Sequence, residues 1–153
     1  MTLLQKILET LRQDVVAAGL ASNRVAVAHP TLSTLKKNVA PFALVYFTQL
    51  DQNDDYGTLS SRGWAMIANI DVIETGTNGN SEYFAEIYNR IRENLRRQSR
   101  DADAPYALMP NTDLALDTLE VNLEISPLDE EWAKIVTHIS VNIVFQANSF
   151  TTE

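Results

Sequence analysis

The order in which helical and strand periodicities follow one another constrains this chain more than any single residue does. Leu3, Leu4, Ile7, Leu8, Leu11 and Val15 recur at three- and four-residue spacings, which gathers their side chains into one apolar stripe of an α-helix. Thr2 and Gln5 stand at capping-box spacing, so a hydroxyl and a carboxamide can satisfy amides that the first turn leaves unpaired. Gly19 comes next, and glycine accepts the left-handed backbone that commonly ends a helix. A helix over residues 2–18 is therefore predicted, with its stripe packed on a sheet.

Strand periods follow. Residues 24–28, Arg-Val-Ala-Val-Ala, read as a short strand, and His29 to Ala40 as a loop containing Pro30 and the pair Lys36–Lys37. Phe42 to Thr48 is apolar at both odd and even positions, as in a central strand covered on both faces. Pro41 suits the first position of that strand. Gln49 to Ser61 is polar and reads as a connection. Over residues 64–73, Trp64, Met66, Ala68, Ile70 and Val72 fall on one side, with Asn69 and Asp71 on the other. That is a half-buried strand.

The run Thr75 to Asn80 breaks the alternation and offers Asn80 or Ser81 as the cap of a second helix, over about 81–98. Phe84, Ile87, Tyr88, Ile91 and Leu95 form its stripe. Ser99 to Asp117, with Pro105 and Pro110, reads as a long loop. Leu119, Val121, Leu123 and Ile125 then alternate with Glu120, Asn122, Glu124 and Ser126. After a turn near Pro127, Ile135, Thr137, Ile139, Val141, Ile143 and Phe145 alternate with Val136, His138, Ser140, Asn142 and Val144. Two such runs around a turn predict an antiparallel hairpin.

The class that follows is α+β: a mixed or antiparallel β-sheet of about five strands with two amphipathic helices packed on one face. The polar positions Asn69, Asp71, Glu120, Asn122, Glu124, His138, Ser140 and Asn142 then share the other face, which is expected to meet water or a polar partner. The 153 residues suit one domain, 1–153, with 148–153 as a short flexible tail. A domain of that size removes roughly 70% of the unfolded chain's surface from water.

Composition narrows the chemistry. With no Cys, disulfides and thiolate metal sites are excluded. Two His without Cys make a poor zinc site. Asp51-Gln-Asn-Asp-Asp-Tyr-Gly57 superficially resembles a calcium loop, but Tyr56 and Arg62 stand where an EF-hand needs Gly and a bidentate Glu. No metal and no cofactor are expected. His138 beside sheet carboxylates could act as a general base. No Ser lies in a recognisable nucleophile motif, so an enzyme is not expected.

A formal charge of −8 disfavours the wrapping of nucleic acid, which needs a basic surface. No stretch approaches the ~20 apolar residues of a membrane span, and charged residues within the first helical stripe argue against a secretion signal. The densest basic stretch is Arg90, Arg92, Arg96, Arg97 and Arg100, in the C-terminal half of the second helix, where cations complement the helix dipole. Glu86–Arg90 and Glu93–Arg97 stand at i,i+4, the spacing of intrahelical pairs. The cluster is thus either a solvated helix face or a contact to an acidic neighbour, for which Asp51, Asp54 and Asp55 are the candidates.

Over roughly residues 2–147 the chain resembles the tail terminator (tail completion) proteins of long-tailed bacteriophages. Leu3-Leu-Gln-Lys-Ile-Leu-Glu-Thr-Leu11, Ala40-Pro-Phe-Ala-Leu-Val-Tyr46, Trp64-Ala-Met-Ile-Ala-Asn-Ile-Asp-Val72, Tyr83-Phe-Ala-Glu-Ile-Tyr-Asn-Arg-Ile-Arg-Glu-Asn-Leu95 and the hairpin from Leu119 to Phe145 carry the likeness. The resemblance implies a homo-oligomer, a hexameric ring on the head-proximal end of the tail tube. Such a ring stops tube growth and presents the head-docking surface. Its implied partners are the tail tube protein and a head-completion or stopper protein, with DNA passing unbound through the channel and no membrane involved. The implied location is the virion neck, assembled in the host cytoplasm. Asp51, Asp54, Asp55 and the Arg90–Arg100 cluster become candidate subunit contacts, and Asp71, Glu120 and Glu124 candidate channel-facing residues. The competing expectations are a stopper protein, a generic soluble binding domain, and a hydrolase-like enzyme built on His138.

Overall fold

A computed structural model describes residues 2–31, 41–53, 55, 57, 62–75, 83–97, 113–127 and 134–147. For 95–97, 113–127, 134, 135 and 146 it describes the backbone only. The first helix, α1, spans Leu3–Ala17. Its capping box forms as the spacing requires: the Thr2 hydroxyl accepts from the Gln5 amide at 3.2 Å, and the Thr2 amide donates to Gln5 Oε1 at 2.7 Å. Gly19 ends it with a positive φ of 123°. A 3-10 turn at Ser22–Arg24, which the periodicity did not anticipate, leads into β1, Val25–Val27.

The other strands are longer than their apolar patterns. They are β2 (Phe42–Gln52), β3 (Gly63–Thr75), β4 (Asp113–Pro127) and β5 (Lys134–Gln146), with helix α2 (Phe84–Arg97) between β3 and β4. Two stretches read as loops are strand, the polar Gln49–Gln52 and the mostly apolar Asp113-Leu-Ala-Leu-Asp117. Gln49 to Gln52 extend β2, because a bulge at Thr48 shifts the register so that Leu50 faces the core opposite Met66. One extra residue is what a bulge inserts, and it lets a strand continue past a break in its alternation. Asp113 to Asp117 likewise belong to β4, paired with β5 ahead of a register shift between Leu116 and Leu119. The remainder of that expected loop, the helix cap at Asn80 or Ser81, the turn after Pro127 and the tail 148–153 lie outside the described residues.

The sheet runs β1-β2-β3-β5-β4. It has four long strands and, at one edge, the three-residue β1, which lies parallel to β2; every other pairing is antiparallel. The sheet is therefore mixed, and the α+β class holds. Both helices cover one face. Leu3, Ile7, Leu8, Leu11 and Val15 of α1 and Ile87 and Ile91 of α2 pack with Val45, Ile70, Val141 and Phe145 in one buried cluster. The fully buried Leu11, Val15, Ile87 and Ile91 are the positions that the 3.6-residue period selects.

Candidate functional site on the helix-free sheet face

The period of two sends Phe42, Leu44 and Tyr46 of β2 away from the helices, together with Asn69, Asp71 and Ile73 of β3 and Val136, His138, Ser140 and Asn142 of β5. This face is not simply polar and wet. Phe42, Leu44, Tyr46 and Ile73 are buried there, with Val136 against them. Asn69 and Asp71 are 3% and 7% exposed. The expectation that Asp71 projects from this face is therefore corrected. Its partners lie on the flanking strands and draw its carboxylate in.

The register explains how. Asp71 stands opposite Leu44 on β2 and His138 on β5, and Asn69 stands opposite Tyr46 and Ser140. Directly opposed side chains on one face come close enough to bond. Tyr46 donates its hydroxyl proton to Asp71 Oδ2 at 2.7 Å, and His138 Nδ1 bonds Asp71 Oδ1. His138 Nε2 meets Ser140 Oγ at 3.0 Å, Ser140 Oγ donates to Asn69 Oδ1 at 3.1 Å, and Asn69 Nδ2 donates to Thr48 Oγ1 at 3.0 Å. Six side chains on three strands thus form one continuous polar ladder. Burial first, and then the Asp71 carboxylate beside it, push the Tyr46 hydroxyl well above its ordinary pKa, so it remains a donor. The ring of His29 lies 5.2 Å from that of Tyr46, centroid to centroid. Both histidines of the chain therefore gather around the Tyr46–Asp71 pair.

Asp71, His138 and Ser140 reproduce the connectivity of orienting carboxylate, base and nucleophile. The rest of a hydrolytic site does not accompany them among the described residues. Ser140 lies mid-strand between β3 and β4, where backbone amides serve the sheet and cannot converge on an oxyanion. Its hydroxyl proton is directed to Asn69. A depression beside the ladder is lined by Gln49, Asp51, Ala65, Ile67, Asn142 and Val144, and its carboxylate, Asp51, is bonded by Gln49. Among the described residues no group of three His, Cys, Asp or Glu is placed to hold a metal ion.

The candidate contact residues are dispersed. Asp51 is exposed near the end of β2 and bonded by Gln49, and Asp55 is exposed, its amide on Asn53 Oδ1 at 3.1 Å. Arg90 forms the expected i,i+4 pair with Glu86 at 2.8 Å, and Arg92 is exposed. Arg96 and Arg97 lie on the last turn of α2 by backbone alone, and Asp54 and Arg100 lie outside the described residues. Glu120 stands opposite Ser140 in the register, and Glu124 falls in the irregular stretch between Asn122 and Ser126.

Sequence reasoning missed Tyr46, Thr48 and His29 as members of the site. The signal for Tyr46 was available, since a phenol inside an apolar strand needs a partner for its hydroxyl. It also missed Asp14, which is buried between the helices and bonded by Asn94 of α2. Burial raises the Asp14 carboxyl to about 6 against the pull of Asn94 and Arg90.

No protein-family model and no curated protein matches the sequence. Among solved structures, a chain from the virion of a native gene transfer agent particle is similar at 15% identity. The likeness covers 91% of this chain and 90% of that one, at a TM-score of 0.42. At that score it carries no functional argument. Among the described residues no helix is long and apolar enough to cross a membrane.

Proposed function

We propose that the chain is a non-enzymatic structural subunit of a phage-type virion, a tail terminator whose copies close into a hexameric ring on the head-proximal end of the tail tube. One observation carries the reading. The segments that bear the resemblance fold into successive elements of one sheet with both helices on one side. Among the described residues no helix covers the opposite face and no strand pairs the outer edge of the 15-residue β4, and these are the surfaces the proposal gives to other chains. A long edge strand presents unpaired amides and carbonyls, which soluble proteins shorten, charge or cover. Here β4 carries Asp113, Asp117, Glu120 and Glu124, which discourage indiscriminate pairing while leaving room for a specific contact.

In a ring, one surface of each subunit meets a different surface of the next. The acidic end of β2, with Asp51, Asp54 and Asp55, and the basic end of α2, with Arg90, Arg92, Arg96, Arg97 and Arg100, are complementary in charge. They would set register and encounter rate more than affinity. With Asp71 drawn in and bonded, Glu120 and Glu124 of β4 would supply the acidic wall of the channel, which repels passing DNA. The tube protein below and a head-completion or stopper protein above are the partners of such a ring.

The test is mass measurement in solution followed by negative-stain imaging of the protein mixed with tail tubes. Rings that cap tube ends and halt their growth are expected. Particles that bind heads and ignore tubes would make the chain a stopper protein. A second reading, hydrolysis by Ser140, His138 and Asp71, is favoured only by their connectivity. Ester cleavage abolished by Ser140→Ala would establish it against the structural role.

A further inference from the structure

The donor directions along the polar ladder correspond to one of two protonation states of His138. Ser140 has one hydroxyl proton and gives it to Asn69 Oδ1, so toward His138 Nε2 its oxygen can only accept. That bond, at 3.0 Å, requires a proton on Nε2. Nδ1 faces the Asp71 carboxylate, which also only accepts, so Nδ1 carries a proton too. In that state both ring nitrogens would be protonated, His138 would be an imidazolium paired with Asp71, and every donor would point from it toward Thr48.

Removing the Nε2 proton forces a reversal. Ser140 must then donate to His138, and its oxygen needs a donor from the other side. Asn69 can supply one by turning its amide half a revolution about its last torsion, since oxygen and nitrogen exchange places with almost no change of shape. Its oxygen then accepts from the Thr48 hydroxyl. The ladder is fully bonded in both states, with opposite polarity.

We propose that the Thr48–Asn69–Ser140–His138 ladder is a proton-operated two-state relay, in which protonation of His138 sets the direction of the Asn69 amide and hence whether the Thr48 hydroxyl points outward as a donor or inward. Thr48 is exposed and lies at the β2 bulge, so the state of a part-buried imidazole is displayed at the surface. Histidine is the side chain suited to this, since its charge changes between about pH 5 and 8. The groups facing His138 are Asp71 from β3, Tyr46 from β2 through Asp71, His29 through Tyr46, and, by register, Glu120 and Asn122 of β4. Of these, the Asp71 carboxylate in contact with the ring favours the cation. The relay stands on the ladder alone and does not rest on the virion reading.

The experiment is a pH titration of isotope-labelled protein by NMR, with His29→Gln leaving one imidazole to assign. His138 is expected to carry two ring protons at low pH and one at high pH, with the Asn69 side-chain amide signals shifting at the same midpoint. In Ser140→Ala, which cuts the ladder without stranding a buried charge, His138 still titrates and Asn69 no longer follows. An Asn69 amide indifferent to His138 in the parent, or one that still follows it in Ser140→Ala, overturns the proposal. So does a His138 that stays neutral throughout.

Discussion

Asp14 sits on the side of α1 that meets α2, 6% exposed, with Asn94 on one carboxylate oxygen and no partner on the other among the described residues. Desolvation raises its folded-state pKa to about 6 from 3.8, so between those values the native state holds a proton that the unfolded chain has lost. Its contribution to stability is fully present below about pH 4 and is lost as pH rises through about 6. A displacement of that size corresponds to roughly 3 kcal/mol. Asp14→Asn keeps an acceptor for Asn94 and removes the titration. Urea unfolding should therefore show a variant more stable than the parent at pH 7, by up to about 3 kcal/mol, and equal to it near pH 4. A variant less stable than the parent at pH 7 would mean that the charge of Arg90 outweighs the burial. Nothing in the one-dimensional pattern marks Asp14, because it lies where two helix stripes meet and one-helix periodicity cannot see the second helix. His138 and Asp71 were legible as candidates by parity. Their pairing was not, because it depends on which residue of β3 faces which of β5.

At the scale of elements, periodicity located both helices and the five strands of the described residues, and missed that β2 continues through polar residues and where β4 begins. Gln49–Gln52 and Asp113–Leu116 are held by pairing with β3 and β5, and for the polar Gln49–Gln52 this is a tertiary gain that outweighs weak local preference. The helix stripes were readable because the 3.6 period alone selects them, and they give a direct check. Leu8 is 5% exposed and Ile91 fully buried, and truncating such a side chain costs about 2–5 kcal/mol. Leu8→Ala and Ile91→Ala should each lower the melting temperature by several degrees. Parental melting of both would contradict the packing of either helix on the sheet. The Arg-rich end of α2 belongs at this scale too. With Arg90 already paired to Glu86, the adjacent Arg96 and Arg97 at the helix end are the pair to test as a subunit contact. Arg96→Glu with Arg97→Glu should reduce ring formation in sedimentation while leaving circular dichroism unchanged. Normal assembly at physiological salt would make this cluster a solvated helix face.

Across the whole molecule, the two faces of the sheet are satisfied in opposite ways. The helix side is closed by apolar packing. On the other side, side chains satisfy one another in a ladder. Asp71 is bonded by Tyr46 and His138, so the acidity this face can present to a partner comes from exposed Asp51 at the end of β2 and from β4. There Glu120 stands opposite Ser140, and Glu124 lies in the irregular stretch beyond Asn122. Two carboxylates four residues apart on one strand stand about 13 Å from each other, so they cost the sheet little and are open to a role toward a partner. If the face lines a channel, repulsion of DNA supplies it. Glu120→Lys with Glu124→Lys should then give rings and particles that assemble normally but release DNA more slowly. The defect should shrink as salt rises, because charge interactions beyond about 8–10 Å are screened at physiological ionic strength. Failure to form rings would instead place the β4 side at a subunit or tube contact, where reversing charge breaks complementarity. Unchanged assembly and unchanged release would put this face on the outside of the particle, and the carboxylates would then serve only to guard an open edge.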